Sequence, residues 1–196
     1  MTNRTQPISE LLGTAAAQAA PVVRGIADDS FAAPTPCSEY DVRALLNHLF
    51  HVVVNFQALA AKQPADFASN PDYLADADWR TRFDAETAKL VAAWAAPGAE
   101  EGVSAGMGLP ARTVGSMALL DLTVHIWDLA QATGRSFEPD PDVVENLAEL
   151  VEQMAPTART MNVFGEEVAP SEGASAFERL LAATGRNPRD WAAAVH

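Results

Sequence analysis

Cysteine is nearly missing from this chain of 196 residues, which holds only Cys37. One cysteine excludes an internal disulfide and a thiolate-rich zinc site, and it fits a reducing, cytoplasmic setting. Basic charge is also scarce, with 13 Lys and Arg against 26 Asp and Glu for a net charge of −13. The few basic residues are scattered, without a basic run or an aromatic-interleaved patch. Nucleic acid and anionic membrane surfaces are therefore not expected as partners, whereas a divalent cation is attracted. No segment approaches the roughly 20 apolar residues of a membrane span. The opening "MTNRTQPISELLGTAAAQAAP" contains a small-x-small triplet, Ala17-Gln18-Ala19, but only Arg4 precedes it as a basic residue and Glu10 interrupts it. The short alanine-rich remainder makes a poor secretory leader and reads as helix.

What the chain does have is helical patterning and enough apolar material, 48% hydrophobic with 20% charged, for a core. About residues 7 to 27 form an alanine-rich helix that starts at Pro7 and is expected to kink at Pro21. After the proline-rich "FAAPTPCSEY", Asp41 is a good N-cap for "VRALLNHLFHVVVNFQALAAK". The core stripe of that helix is Val42, Leu45, Leu46, Leu49, Val53, Phe56 and Ala60. A loop rich in proline and aspartate precedes a third helix, about Asp78 to Ala96. A glycine-rich linker leads to a fourth, about Ala111 to Thr133, closed by Gly134. "PDPDVVENLAELVEQMAP" reads as a fifth helix, and "SAFERLLAATGRNPRDW" contains a short last one. The class is all-α, a helical bundle.

The fourth helix is anomalous. "LLDLTVHIWDLAQATG" is almost wholly apolar except for Asp121, His125 and Asp128. At helical periodicity His125 lies about 40° from Asp121 and Asp128 about 20° from it on the other side. The three make one narrow polar stripe, and burying an unpaired carboxylate is costly, so it must face water, a partner or a cation. Asp and His at i, i+4 can grip one ion. In the second helix, His48 borders the buried face while His51 falls on the far side, where it is expected to meet water. A His48–Asp121–His125 set would hold a divalent metal and leave open coordination positions. Ordinary ion pairs and hydrogen bonds are the competing reading of the same residues.

Other candidates weigh less. Asp128 could orient His125 or Arg135 from outside the ligand set, or merely bond backbone or an arginine. Trp127 is expected in the core. Cys37 precedes a helix N-terminus, which would lower its pKa, but no base is evident near it. Asn55 and Gln57 are candidates for a pocket mouth, and His196 is the last residue.

"TPCSEYDVRALLNHL" together with "LLDLTVHIWDLAQATG" resembles the actinobacterial proteins related to the N-terminal domain of mycothiol-dependent maleylpyruvate isomerase, within the DinB-like superfamily. The tail "FGEEV…FERLLAATGRNPRDW" resembles the ending of single-domain members. The resemblance implies an up-down-down-up four-helix bundle over residues 1–135, with a helical C-terminal extension, 136–196, packed on it as short helices. It also implies a divalent metal on His48, Asp121 and His125. Three departures stand out: Asp121 where the isomerase has Glu, a short tail in place of its second domain, and Tyr40 where Trp is usual. The last is read as a change of packing.

Two functions follow. One is an enzyme that binds a small thiol, by resemblance mycothiol, on zinc (nickel or iron being alternatives) and delivers it to a small electrophile as a transferase or isomerase. The other is a non-catalytic metal-binding or ligand-binding module; metal-assisted hydrolysis is a third. A homodimer is compatible with either.

Overall fold

The computed structural model describes residues 6–105, 107–189 and 191, so Arg4 and His196 lie outside the described residues. It is all-helical: α1 (Ile8–Gly25), α2 (Val42–Ala60), α3 (Trp79–Trp94), α4 (Ala111–Ala132), α5 (Pro141–Thr160) and α6 (Ala176–Ala183), with one 3₁₀ turn at Asp28–Ser30. Among the described residues there is no strand, only isolated bridges joining Pro34 to Asp41 and Val103 to Pro110.

Local chemistry explains where the helices begin and stop. Asp41 accepts the Ala44 N–H at 2.8 Å and caps α2. Asp140 caps α5 ahead of Pro141, and Ser175 with Glu178 forms a reciprocal capping box on α6. Gly134 and Gly185 follow α4 and α6 with φ of 65° and 89°, the left-handed conformation glycine adopts most easily. Neither Pro21, where a kink is expected, nor Pro156 ends its helix. α1 continues through Pro21, and α5 runs past Pro156 to Thr160, 20 residues in all, so the first C-terminal helix is long rather than short.

Each of α1 and α2 packs on both α3 and α4, which makes a four-helix bundle of the DinB-like kind. α5 lies against α4 and α1, and α6 against α5. The expected stripe of α2 is buried throughout. α4 is the central helix, with every residue from Leu122 to Ala130 buried, as befits a helix apolar nearly all round. His125 and Asp128 therefore sit inside the bundle, and Trp127 is core as expected, 5% exposed.

The outer side of α2 is covered as well. Asn47 accepts the Tyr73 N–H at 2.8 Å and donates to the Pro71 carbonyl at 2.9 Å, while Asn55 accepts the Asp66 N–H at 2.6 Å. Two asparagines eight residues apart thus staple the α2–α3 loop along the helix. His51, between them, is part-buried instead of facing open water. Its Nδ1 lies 3.2 Å from the Tyr73 hydroxyl, and its ring meets Phe67 edge-on. His51 thus keeps only part of the expected exposure, because a helix wheel cannot show a loop folding back.

Candidate metal centre

α2 and α4 bring His48, Asp121 and His125 together. One ligand-type atom from each lies within 4.8 Å of the other two. His125 Nε2 is 3.6 Å from Asp121 Oδ1, and the His48 and His125 rings meet edge to face with centroids 5.2 Å apart. His48 also lines a cavity of about 600 Å³, together with Tyr40, His51, Asn47 and Phe67 among others.

Behind His125 stands a second layer. Its Nδ1 is 3.0 Å from Asp128 Oδ2, and Asp128 is gripped from the other side by Arg186, whose Nε and Nη2 donate at 2.8 and 2.7 Å. The Asp128 side chain is 0% exposed and that of Arg186 11%. Burial works against the Asp128 charge, but hydrogen bonds from His125 and Arg186 outweigh it and hold the carboxyl below the usual range. Asp128 is then an acceptor on the Nδ1 side of His125, which leaves Nε2 as the ring atom on the side of Asp121.

Of the alternatives for Asp128, the structure shows His125 and an arginine, and that arginine is Arg186 and not Arg135. Arg135, at the end of α4, reaches the Gly25 carbonyl of α1. Arg186 comes from the turn after α6, 58 residues beyond Asp128, a distance at which no periodicity argument operates.

Two further expectations are revised. Burial raises the Cys37 pKa, against the pull of the Arg186 charge, so the neighbouring helix N-terminus does not leave a low-pKa thiol. Nor is the thiol remote from other chemistry: Cys37, His125 and Asp128 also place one ligand-type atom each within 4.8 Å of the others. That second group is a poor metal set. Asp128 is already spent on Arg186, a fixed cation, and His125 Nδ1 on Asp128.

The first set suits a divalent ion on its own chemistry. Burial first, then the charges of His125 and His51, lower the His48 pKa to about 4, which keeps that imidazole neutral and its lone pair available. Burial pushes the Asp121 carboxyl upward, countered by His125 and Arg186, so a cation beside it would be welcome. Donors about 2.1 Å from a tetrahedral ion stand roughly 3.4 Å apart, a modest closing of the observed separations.

The profile of the mycothiol maleylpyruvate isomerase N-terminal domain matches residues 12–130, which takes in α2, α3 and most of α4 with all three candidate ligands. The chain belongs to this family. An uncharacterized protein of Mycobacterium tuberculosis strain H37Rv is 33% identical over 135 residues, 66% of this chain and 69% of that protein. Its counterpart in strain CDC 1551 / Oshkosh matches equally. No solved structure matches the chain. Arg186 lies outside the part that matches the isomerase-domain profile, so this member completes the surroundings of His125 with a residue from its own tail.

The depressed pKa of His48 has a consequence for acid stability. Its neutral form is favoured in the folded chain, with a pKa of about 4 against about 6.5 unfolded. Between those values the unfolded state binds more protons. The metal-free protein is expected to be most stable, as far as His48 is concerned, above pH 6.5, and to lose that contribution as pH falls toward 4. Urea unfolding across this range checks it: His48→Gln should flatten the slope, and an unchanged slope would count against a neutral, buried His48.

Proposed function

We propose that this protein binds one divalent metal ion, zinc by preference, through His48, Asp121 and His125, and uses it to activate a small thiol against a small electrophile. What carries the reading is the orientation of His125: Asp128 and Arg186 hold Nδ1, and the free Nε2 converges with a neutral His48 and a carboxylate beside a cavity large enough for a small molecule. Membership of the family suggests mycothiol as the thiol. When bound, the metal supplies an open coordination position that lowers a thiol pKa toward neutrality. The thiol proton leaves for solvent, and its sulfur bonds to the electrophilic carbon as a C=C π bond there opens toward a conjugated carbonyl oxygen or as a leaving group such as chloride departs. Retention of that bond gives a conjugate. Rotation within the adduct followed by its cleavage gives a cis–trans isomer and returns the thiol. His48 and His125 hold the site, Asp121 balances its charge, and the cavity takes the reactants. Among the described residues no helix is long and apolar enough to cross a membrane, and the single cysteine suits a cytoplasmic protein.

The test has two stages. After dialysis against zinc, the wild-type chain and His51→Ala should retain about one ion, and His48→Ala far less, because it removes one of three protein ligands. Zinc-loaded wild-type protein should then accelerate conjugation of mycothiol to 1-chloro-2,4-dinitrobenzene, and the chelated protein should not. Zinc retained without conjugation or thiol affinity would favour the non-catalytic module. Retention by His48→Ala and loss by His51→Ala would reverse the histidine assignment.

A further inference from the structure

Tyr40 carries a group that the proposed function leaves unused. Its ring stacks on His48, with centroids 5.3 Å apart and planes 18° from parallel, and it lines the same cavity. The backbone beneath it is fixed. The buried Thr35 hydroxyl sits 2.8 Å from the Tyr40 carbonyl and 3.0 Å from that of Cys37, and the Tyr40 N–H donates to Cys37 O at 2.9 Å. Asp41, the next residue, caps α2. A phenylalanine ring would stack equally well, so packing leaves the hydroxyl unexplained. Among the described residues that hydroxyl makes no hydrogen bond within the protein.

Geometry gives it a use. The lone pair of His48 lies in the plane of its ring, and the phenol occupies a nearly parallel plane alongside. Tyr40 and His48 thus stand side by side in the wall of one cavity, so a ligand that enters beside His48 also meets the tyrosine. We propose that the Tyr40 O–H donates a hydrogen bond to the anionic atom of whatever ligand takes the open position beside His48. This rests on the metal reading of the site. It makes Tyr40 a ligand-contacting residue, selecting anionic ligands that can still accept a hydrogen bond over neutral ones that cannot. A phenol is protonated at neutral pH, so it is a donor.

Calorimetry of zinc-loaded wild-type and Tyr40→Phe proteins decides the matter with three probes: azide, N-acetylcysteine and imidazole. Azide and the thiolate can accept from the phenol once bound, while imidazole spends its lone pair on the metal. Tyr40→Phe should retain its zinc, bind azide about tenfold more weakly, as loss of a hydrogen bond to a charged group requires, and bind imidazole as wild type does. Equal azide affinity in the two proteins overturns the proposal. Equal weakening of azide and imidazole also overturns it, because Tyr40 would then act by holding His48. Wild-type protein that takes azide but not N-acetylcysteine sinks the thiol reading alone. A wild-type chain that retains no zinc fails the metal reading, and this proposal with it.

Discussion

Replacing His125 by alanine is expected to abolish zinc retention, the largest loss of any single substitution at the site. The change deletes the Nε2 donor and also removes the group that Asp128 orients, so both layers fail together. Asp128→Ala keeps all three donors and loosens only the ring of His125. It should weaken zinc by about 10- to 100-fold, the usual cost of losing an outer partner. The measurement is competition against a chromogenic chelator, with helix content followed by circular dichroism to show that each variant folds. A His125→Ala chain that folds and keeps its zinc would mean that the stripe on α4 serves another purpose.

Arg186→Ala should be the most destabilising substitution in the tail. It leaves a fully buried carboxylate with only His125 as partner, and stranding one member of a buried ion pair costs about 3–5 kcal/mol. The sign of the pH dependence gives a second check. Asp128 is held below the usual carboxylate range, so its contribution is present above the unfolded pKa and is lost as pH falls through the folded one. Without the guanidinium, burial acts with less opposition, so the variant should lose less stability on acidification than wild type. Denaturant unfolding at pH 7 and about pH 3 reads both effects. Arg186→Lys should recover only part of the loss, because an ammonium cannot reproduce the two parallel hydrogen bonds. Wild-type stability in Arg186→Ala would show that the pair contributes nothing.

Residues separated by one helical turn were the legible part of this site. Asp121 and His125 declare themselves because an i, i+4 pair must share a face, and His48 follows from its angle to the apolar stripe of α2. The bundle itself was legible from 3.6-residue patterning, down to the Asp41 cap. Longer-range contacts were not. The sequence offers Arg135, seven residues from Asp128, as readily as Arg186, and only the packing of α6 on α5 decides between them. The partial covering of His51 was hidden for the same reason: the loop beside it is held by Asn47 and Asn55, whose hydrogen bonds leave no periodic trace. Tyr40 could be seen as an aromatic position, but its stacking on His48 depends on the fold of the preceding loop.

The reach of Arg186 back to Asp128 also fixes a timetable for the chain during its synthesis. α4 leaves the ribosome well before the turn that follows α6, so for that interval the bundle closes around a carboxylate whose cation has not yet been made. Enclosing such a charge is unfavourable. The interior of the nascent bundle should therefore stay wet and the imidazole of His125 unsettled until the last helix docks. On the proposed metal reading, an ion captured before α6 docks would meet a loosely organised cluster.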